Sequence, residues 1–290
     1  MFSRYFGQYL LQENYLTAEQ LCAALQYQES VRLKLGVLAV NAGYMTAEQA
    51  NQVHQMQTKA DKRFGELAVD AKYLKEEQVD ELLSSQSFGH LLLAQALIDK
   101  NYMSLEKFEI AMSAYKKKYK ISEGQFDAMQ KDEVDEIINV YVNLEEDKYG
   151  IEIKNYISLF MRNIIRFIHS EVYTNTIMKV EEYKTKCAVT QIIKNTINLQ
   201  TYISGEQDVF VKLASIYAEE ELVTMDELAK DSVGEFLNLN NGLYLVGMSN
   251  IGIEIDMEPQ SICFDETICA TYVLPIELPF GKIELIISHL

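Results

Sequence analysis

No run of about 18 apolar residues, the length a helix needs to cross a bilayer, occurs anywhere in this 290-residue sequence. Membrane insertion is therefore not expected. The opening stretch, Met1-Phe2-Ser3-Arg4-Tyr5-Phe6-Gly7, lacks the basic segment and apolar core of a secretion signal. The four cysteines, Cys22, Cys187, Cys263 and Cys269, are scattered and form no Cys-x-x-Cys pair. They read as reduced core thiols, which fits a cytoplasmic protein. His54, His90, His169 and His289 show no ligand spacing, so no metal site is expected. A glycine-rich phosphate loop is also missing. Proline is scarce, with three in all and none before Pro259.

An excess of basic residues is missing too. Residues 1–120 hold 14 Lys/Arg and 14 Asp/Glu, whereas residues 121–290 hold 12 against 29, which accounts for the whole net charge of −17. A phosphate-backbone binding surface needs the opposite sign, so nucleic acid is excluded as the main partner. The acidity serves solubility, or favours a basic patch on a protein partner. The length suggests about two domains, and 48% hydrophobic residues are enough for two cores.

The first domain is a repeat. Tyr15, Tyr44, Tyr73 and Tyr102 recur every 29 residues, and so do Glu19, Glu48, Glu77 and Glu106. Gly7, Gly36 and Gly65 keep the same step, as do Gln28, Gln57 and Gln86. Each unit reads as two short helices joined at a turn such as Gly43-Tyr44-Met45. Thr17-x-x-Gln20 and Thr46-x-x-Gln49 are capping boxes opening the second helix of a pair. Lys75 breaks the box in the third unit, and Ser104-x-x-Lys107 keeps only the cap. One such pair cannot bury its apolar face alone, but stacked pairs can. Residues 1–118 are expected to form an all-α tandem-repeat module.

This repeat resembles the MshEN domain found at the N-terminus of type II secretion and type IV pilus assembly ATPases. The resemblance rests on Lys34-Leu35-Gly36…Gln57 and Arg63-Phe64-Gly65…Gln86, which follow that family's Arg-Leu-Gly…Gln pattern. It implies a cyclic di-GMP site at Lys34, Gly36, Gln57, Arg63, Gly65 and Gln86. Ala39 and Ala68 replace leucines that pack on the nucleotide, and Lys72 replaces a glycine. Weak or absent nucleotide binding is therefore expected, with Gly36 and Gly65 acting as close-packing residues.

Residues 119–150 are polar and acidic, but Val134, Ile137, Ile138 and Tyr141 keep helical spacing. A helical connector is expected there. From 151 to 290 the texture is that of an α+β domain. A helix is expected over 155–172, and a strand over 197–203. Ser204-Gly205-Glu206-Gln207 reads as a loop leading into a second helix. Thr224-x-x-Glu227 should cap a long helix running to about Met248, and strands should follow at 251–257, 268–274 and 281–288.

The long helix carries the one sharp constellation. At about 100° per residue, Asp231, Glu235, Asn238 and Gly242 fall on one polar ridge, while Val233, Phe236, Leu237 and Leu239 fill most of the rest. Asp231-x-x-x-Glu235-x-x-Asn238 followed by Pro259 resembles the signature of the CheX/CheC phosphatases of chemotaxis signalling. That resemblance implies catalytic roles for Glu235 and Asn238, with Asp231 and Gly242 in support. In such proteins the asparagine holds a water in line with the aspartyl phosphate of a CheY-like receiver, and the glutamate pairs with the receiver's lysine. The receiver carries its own Mg²⁺, so no cofactor is implied for this chain. The second asparagine of the family pattern is Leu243 here, with Asn240 and Asn241 close by.

The expected function is dephosphorylation of a CheY-like receiver, with the repeats as an input module. The alternative is a non-catalytic adaptor, in which the second domain forms a homodimer and the repeats bind a protein or cyclic di-GMP. Catalysis requires a partner's phosphorylation site to reach Glu235 and Asn238. Both side chains are thus expected to be exposed and free of core contacts.

Overall fold

The computed structural model describes residues 1–57, 62–84, 89–144, 147–194, 198–270 and 272–289. The chain divides into two compact units, Met1–Glu133 and Val134–Leu290. The expected connector, 119–150, is shared between them, because apolar faces on its two halves pack in different cores.

The first unit consists of helix pairs: α1 (Phe2–Gln12) with α2 (Ala18–Tyr27), α3 (Leu35–Asn41) with α4 (Ala47–Gln57), α5 (Phe64–Asp70) with α6 (Glu76–Ser84), and α7 (Gly89–Asp99) with α8 (Leu105–Lys118). The 29-residue step is thus one helix pair. Thr17 and Gln20 cap each other reciprocally, as do Thr46 and Gln49. Each pair turns at a left-handed residue one position before the repeated tyrosine: Asn14, Gly43, Lys72 and Asn101, with φ between 55° and 70°. Lys72 thus takes the left-handed conformation that Gly43 takes in the second unit, at a cost of roughly 1 kcal/mol for a residue with a Cβ.

Gly36 and Gly65 mark close approaches. A Cβ on Gly36 would lie 3.1 Å from the Phe64 ring, and one on Gly65 would lie 3.0 Å from Val79. Gly36 admits the following pair, whereas Gly65 admits the second helix of its own pair and, at 3.3 Å, Leu35 of the preceding one. Gln86 lies outside the described residues.

Helix α9 (Glu123–Gln130) belongs to this unit. Its Phe126 packs edge-on against Phe2 at 5.7 Å, in an aromatic cluster with Phe6, Tyr9, Phe108 and Tyr115. His90 is buried in the same cluster, 5.2 Å from the Phe2 ring. Its Nε2 lies 3.3 Å from Asn41 Oδ1.

The second unit opens with α10 (Val134–Tyr141) and α11 (Gly150–Phe167), then β1 (Tyr173–Thr174), β2 (Met178–Lys179), β3 (Glu182–Lys184), β4 (Cys187–Lys194) and β5 (Leu199–Gly205). Helices α12 (Gln207–Ala218) and α13 (Glu227–Asn250) follow. The chain ends with β6 (Asp256–Met257), β7 (Ser261–Phe264), β8 (Thr267–Cys269), β9 (Tyr272–Leu278) and β10 (Gly281–His289).

The sheet is antiparallel in the order β1-β9-β10-β5-β4-β6, with β2 on β9 and β7 on β4. One face packs against α13. On the other, Ala188, Tyr202, Val273 and Ile286 are covered by Ile268 and Tyr183 of the separate β3–β8 ribbon. Strand β4 is consequently buried on both faces and has no alternating pattern to betray it.

Several expectations shift. The stretch 251–257 shrinks to the two-residue β6, with Ile251 70% exposed. Ser204 and Gly205 complete β5 in place of a loop, and Ile197 lies outside the described residues. Asp226 caps α13 by accepting from the Ala229 N–H at 2.9 Å, so Thr224 is not the cap. The expected helix over 155–172 starts earlier, at Gly150, and ends at Phe167.

Burial pushes the His90 imidazole down to about 3. The folded protein therefore holds it neutral, while the unfolded chain takes up a proton below about pH 6.5. This contribution is intact above that pH and is lost as pH falls toward 3. The decline is at most about 1.4 kcal/mol per pH unit. Urea unfolding at pH 7 and pH 5 should show that loss in the wild type and a shallower one in His90→Gln. Equal slopes would contradict the assignment.

Candidate functional site

The site is built on α13, which is wedged between α11, α12 and β4. Phe236 is fully buried, 5.7 Å from the Phe160 ring and 5.4 Å from the Tyr217 ring. Tyr244 meets Tyr156 edge-on at 5.2 Å. Each such aromatic contributes about 1.5–3 kcal/mol by leaving water, so the helix cannot rotate without losing several of them. Its outer ridge is thereby fixed.

On that ridge Asp231 and Glu235 are exposed, and Gly242 is half-buried with open space where a Cβ would stand. Glu235 has no salt bridge among the described residues. Its Oε1 accepts from Gln260 Nε2 at 3.3 Å. Gln260 belongs to the chain that returns past Pro259, and its side chain would lie 3.2 Å from a Cβ on Gly234. A Cβ there would press on the Gln260 side chain, which would have to give by a few tenths of an ångström. Burial, and then the negative charge of Glu235, raise the Tyr217 hydroxyl above its ordinary range.

Asn238 departs from expectation. It is half-buried, and its Oδ1 accepts from Gln191 Nε2 on β4 at 2.9 Å. The helix axis passes so close to β4 that the ridge's inner edge touches the strand. Glu235, one turn earlier, clears it. Asn238 Nδ2 has no partner among the described residues.

Gln191 is the residue that the sequence reading missed. Its Nε2 also donates to the Glu258 carbonyl at 2.8 Å. Its Oε1 accepts from Asn241 Nδ2 at 2.8 Å. Asn241 donates further to Thr201 Oγ1 at 3.1 Å, and its own Oδ1 accepts from the Tyr156 hydroxyl at 2.6 Å. The available signal was a polar residue inside the apolar run Cys187–Ile193, which demands a buried partner.

Asn240 and Asn241 are both fully buried. Asn240 Oδ1 accepts from Asn163 Nδ2 at 2.8 Å. Neither can stand in for an outward-facing second asparagine, and Leu243 holds that position 39% exposed.

Burial pushes the Cys187 thiol up to about 12, which removes it as a nucleophile. No group of three His, Cys, Asp or Glu side chains suited to a metal ion occurs among the described residues. No helix among them is long and apolar enough to cross a membrane.

The candidate nucleotide residues are only partly gathered. Lys34, Gly36 and Gln57 line a cleft of about 750 Å³ in the first unit, together with His54, Phe64 and Tyr102. Arg63 and Gly65 are not among its lining. Lys34 Nζ is paired with Asp99 Oδ1 at 2.6 Å. Ala39 and Ala68 are fully buried.

No family model and no curated protein matches the sequence. Among solved structures, the chain is similar to the chemotaxis protein CheX of Desulfovibrio desulfuricans, at 14% identity and a TM-score of 0.39 over 47% of this chain and 97% of that one. It is similar to a CheC-like superfamily protein of a Shewanella species, at 17% identity and a TM-score of 0.41 over 47% and 96%. Borrelia burgdorferi CheX, solved as a CheX–CheY–BeF₃–Mg²⁺ complex, gives the same values.

The polar network supplies a stability test. Asn241→Leu leaves the Tyr156 hydroxyl and Gln191 Oε1 buried without their partner, at about 1–3 kcal/mol for each group. Urea denaturation should show a loss of about 3 kcal/mol with an unchanged m-value. A loss under about 1 kcal/mol would mean that the network is dispensable.

Proposed function

We propose that the second unit dephosphorylates a CheY-like receiver, using Glu235 and Asn238, with the helical repeats as its input module. The observation that carries this reading is a carboxylate and an amide one turn apart on a helix locked by its aromatic core. Among the described residues the exposed carboxylate has no salt bridge and the amide nitrogen has no partner. The resemblance of Asp231-x-x-x-Glu235-x-x-Asn238…Pro259 to the CheX/CheC signature supports the same assignment.

The chemistry suits these residue types. An acyl phosphate is already reactive, so hydrolysis needs mainly a placed water and matched charge. Water attacks phosphorus, the bond to the aspartyl oxygen breaks, and the products are a free carboxylate and inorganic phosphate, which takes the proton. Asn238 can place that water without titrating. Glu235 can pair with a lysine of the receiver, and its exposure leaves it free to do so. Mg²⁺, on this reading, comes with the receiver.

Asn238→Ala should slow receiver dephosphorylation by roughly 10²-fold through lost positioning. Glu235→Ala should mainly weaken engagement, because it removes one side of an interfacial ion pair. Single-turnover decay of phosphorylated receiver at rising concentrations of this protein separates the two. A receiver lifetime that the wild-type protein leaves unchanged would sink the proposal.

The cleft holding Lys34, Gly36 and Gln57 favours a second reading, in which the repeats bind cyclic di-GMP and the chain acts as an adaptor. Against it, Lys34 is already ion-paired, Arg63 and Gly65 are not among the cleft's lining, and buried Ala39 and Ala68 offer no surface to a base. Calorimetry should find no micromolar binding of cyclic di-GMP. Heat from such binding, abolished by Arg63→Ala, would favour the adaptor.

A further inference from the structure

We infer that Gln191 is a positioning residue: it sets which end of the Asn238 amide faces outward, so that the site offers an incoming group a hydrogen-bond donor. The inference rests on the phosphatase reading for the identity of that group.

The Glu258 backbone carbonyl can only accept a hydrogen bond. It lies 2.8 Å from the Gln191 side chain, so the nitrogen of that amide must face it. The second hydrogen of the same nitrogen points to Asn238, 2.9 Å away. An Asn238 nitrogen at that place would set two donors head to head. Its oxygen therefore faces inward, and its NH₂ faces out.

The far side of Gln191 agrees. Its oxygen takes one hydrogen of Asn241, whose other hydrogen goes to Thr201 Oγ1. Thr201 can accept there because its own proton goes to the Gln191 backbone carbonyl at 3.3 Å. The Tyr156 hydroxyl then supplies the acceptor side of Asn241. Turning over the Gln191 amide would oppose its oxygen to the Glu258 carbonyl and its nitrogen to the Asn241 nitrogen. One backbone carbonyl thus polarises the whole chain out to the surface.

An outward NH₂ matches an electron-rich oxygen, such as a phosphoryl oxygen or the lone pair of a water beside it. It mismatches any docked hydroxyl or N–H that can only donate. Asn238 Oδ1 keeps one lone pair for a neighbouring water proton. Glu235, an acceptor only, stands one turn away, so the ridge presents an acceptor and a donor in fixed order.

The test uses the full chain labelled with ¹⁵N-asparagine, with the Asn238 side-chain signal assigned by its loss in Asn238→Asp. In the wild type, the Asn238 NH₂ should exchange with solvent at least about tenfold faster than that of buried Asn241. In Gln191→Glu a carboxylate replaces the donor, so Asn238 should turn its NH₂ inward and its exchange should slow to resemble that of Asn241. Slow Asn238 exchange in the wild type would overturn the inference, and that comparison needs no Gln191 variant to fold.

The second readout is decay of a CheY-type receiver charged with acetyl phosphate. Gln191→Glu should lower kcat about tenfold with KM unchanged, and Asn238→Asp, which lacks the donor, should do the same. An undiminished kcat in Gln191→Glu whose NH₂ has turned inward would overturn the functional half of the inference. If the wild type leaves the receiver's lifetime unchanged, the phosphatase reading fails, and the exchange rates alone decide the orientation.

Discussion

A single glutamine side chain, Gln191, ties strand β4 of the second unit to its long helix and to the chain returning past Pro259. A buried amide left unpaired costs about 1–3 kcal/mol for each missed partner, so the elements supplying those partners must be close by. Helix α13 supplies Asn238 and Asn241, and residue 258 supplies a backbone carbonyl. The apolar packing of Phe236 and Tyr244 fixes how deep the helix sits. The amides fix its register against β4. Packing alone would tolerate some sliding of the helix, whereas hydrogen bonds with donors and acceptors in strict alternation do not.

That coupling explains why the surface ridge and the core cannot be separated. Glu235 is exposed to solvent and accepts a hydrogen bond from Gln260. Asn238 belongs to both worlds, with its oxygen bonded inside and its nitrogen without a partner among the described residues. The glycine at position 234 completes the arrangement by admitting Gln260 against the helix. Signature residues on one helix therefore depend on residues spread from β4 to the segment after β6.

Much of this was legible in the sequence, and the failures are instructive. The 29-residue period translated directly into helix pairs, because capping residues and close-packing glycines recur with it. The ridge on α13 followed from helical periodicity. Strand β4 escaped, since burial on both faces erases alternation, and with it went Gln191. Thr224 had the right chemistry for a cap, but Asp226 stood nearer the helix start. Residues 251–257 alternate well and still form only two residues of strand, because register partners, not local pattern, decide where a strand ends. Lys72 was read as a departure from a motif glycine, and the left-handed turn it shares with Asn14, Gly43 and Asn101 shows a backbone requirement at that position. The connector was divided because its two halves carry separate apolar faces.

The half-burial of Asn238 also has an entropic side. A free asparagine on a helix surface samples several rotamers and surrenders that freedom when a partner docks, whereas one tethered by its oxygen has surrendered it during folding. The cost of ordering is thus met once, when the domain folds, and not at each encounter. Glu235 is held more loosely, exposed and accepting from Gln260 Nε2 at 3.3 Å, and on the proposed reading it would meet the receiver's cation. On the proposed reading, recognition would be divided between an exposed carboxylate that captures and a tethered amide that aligns.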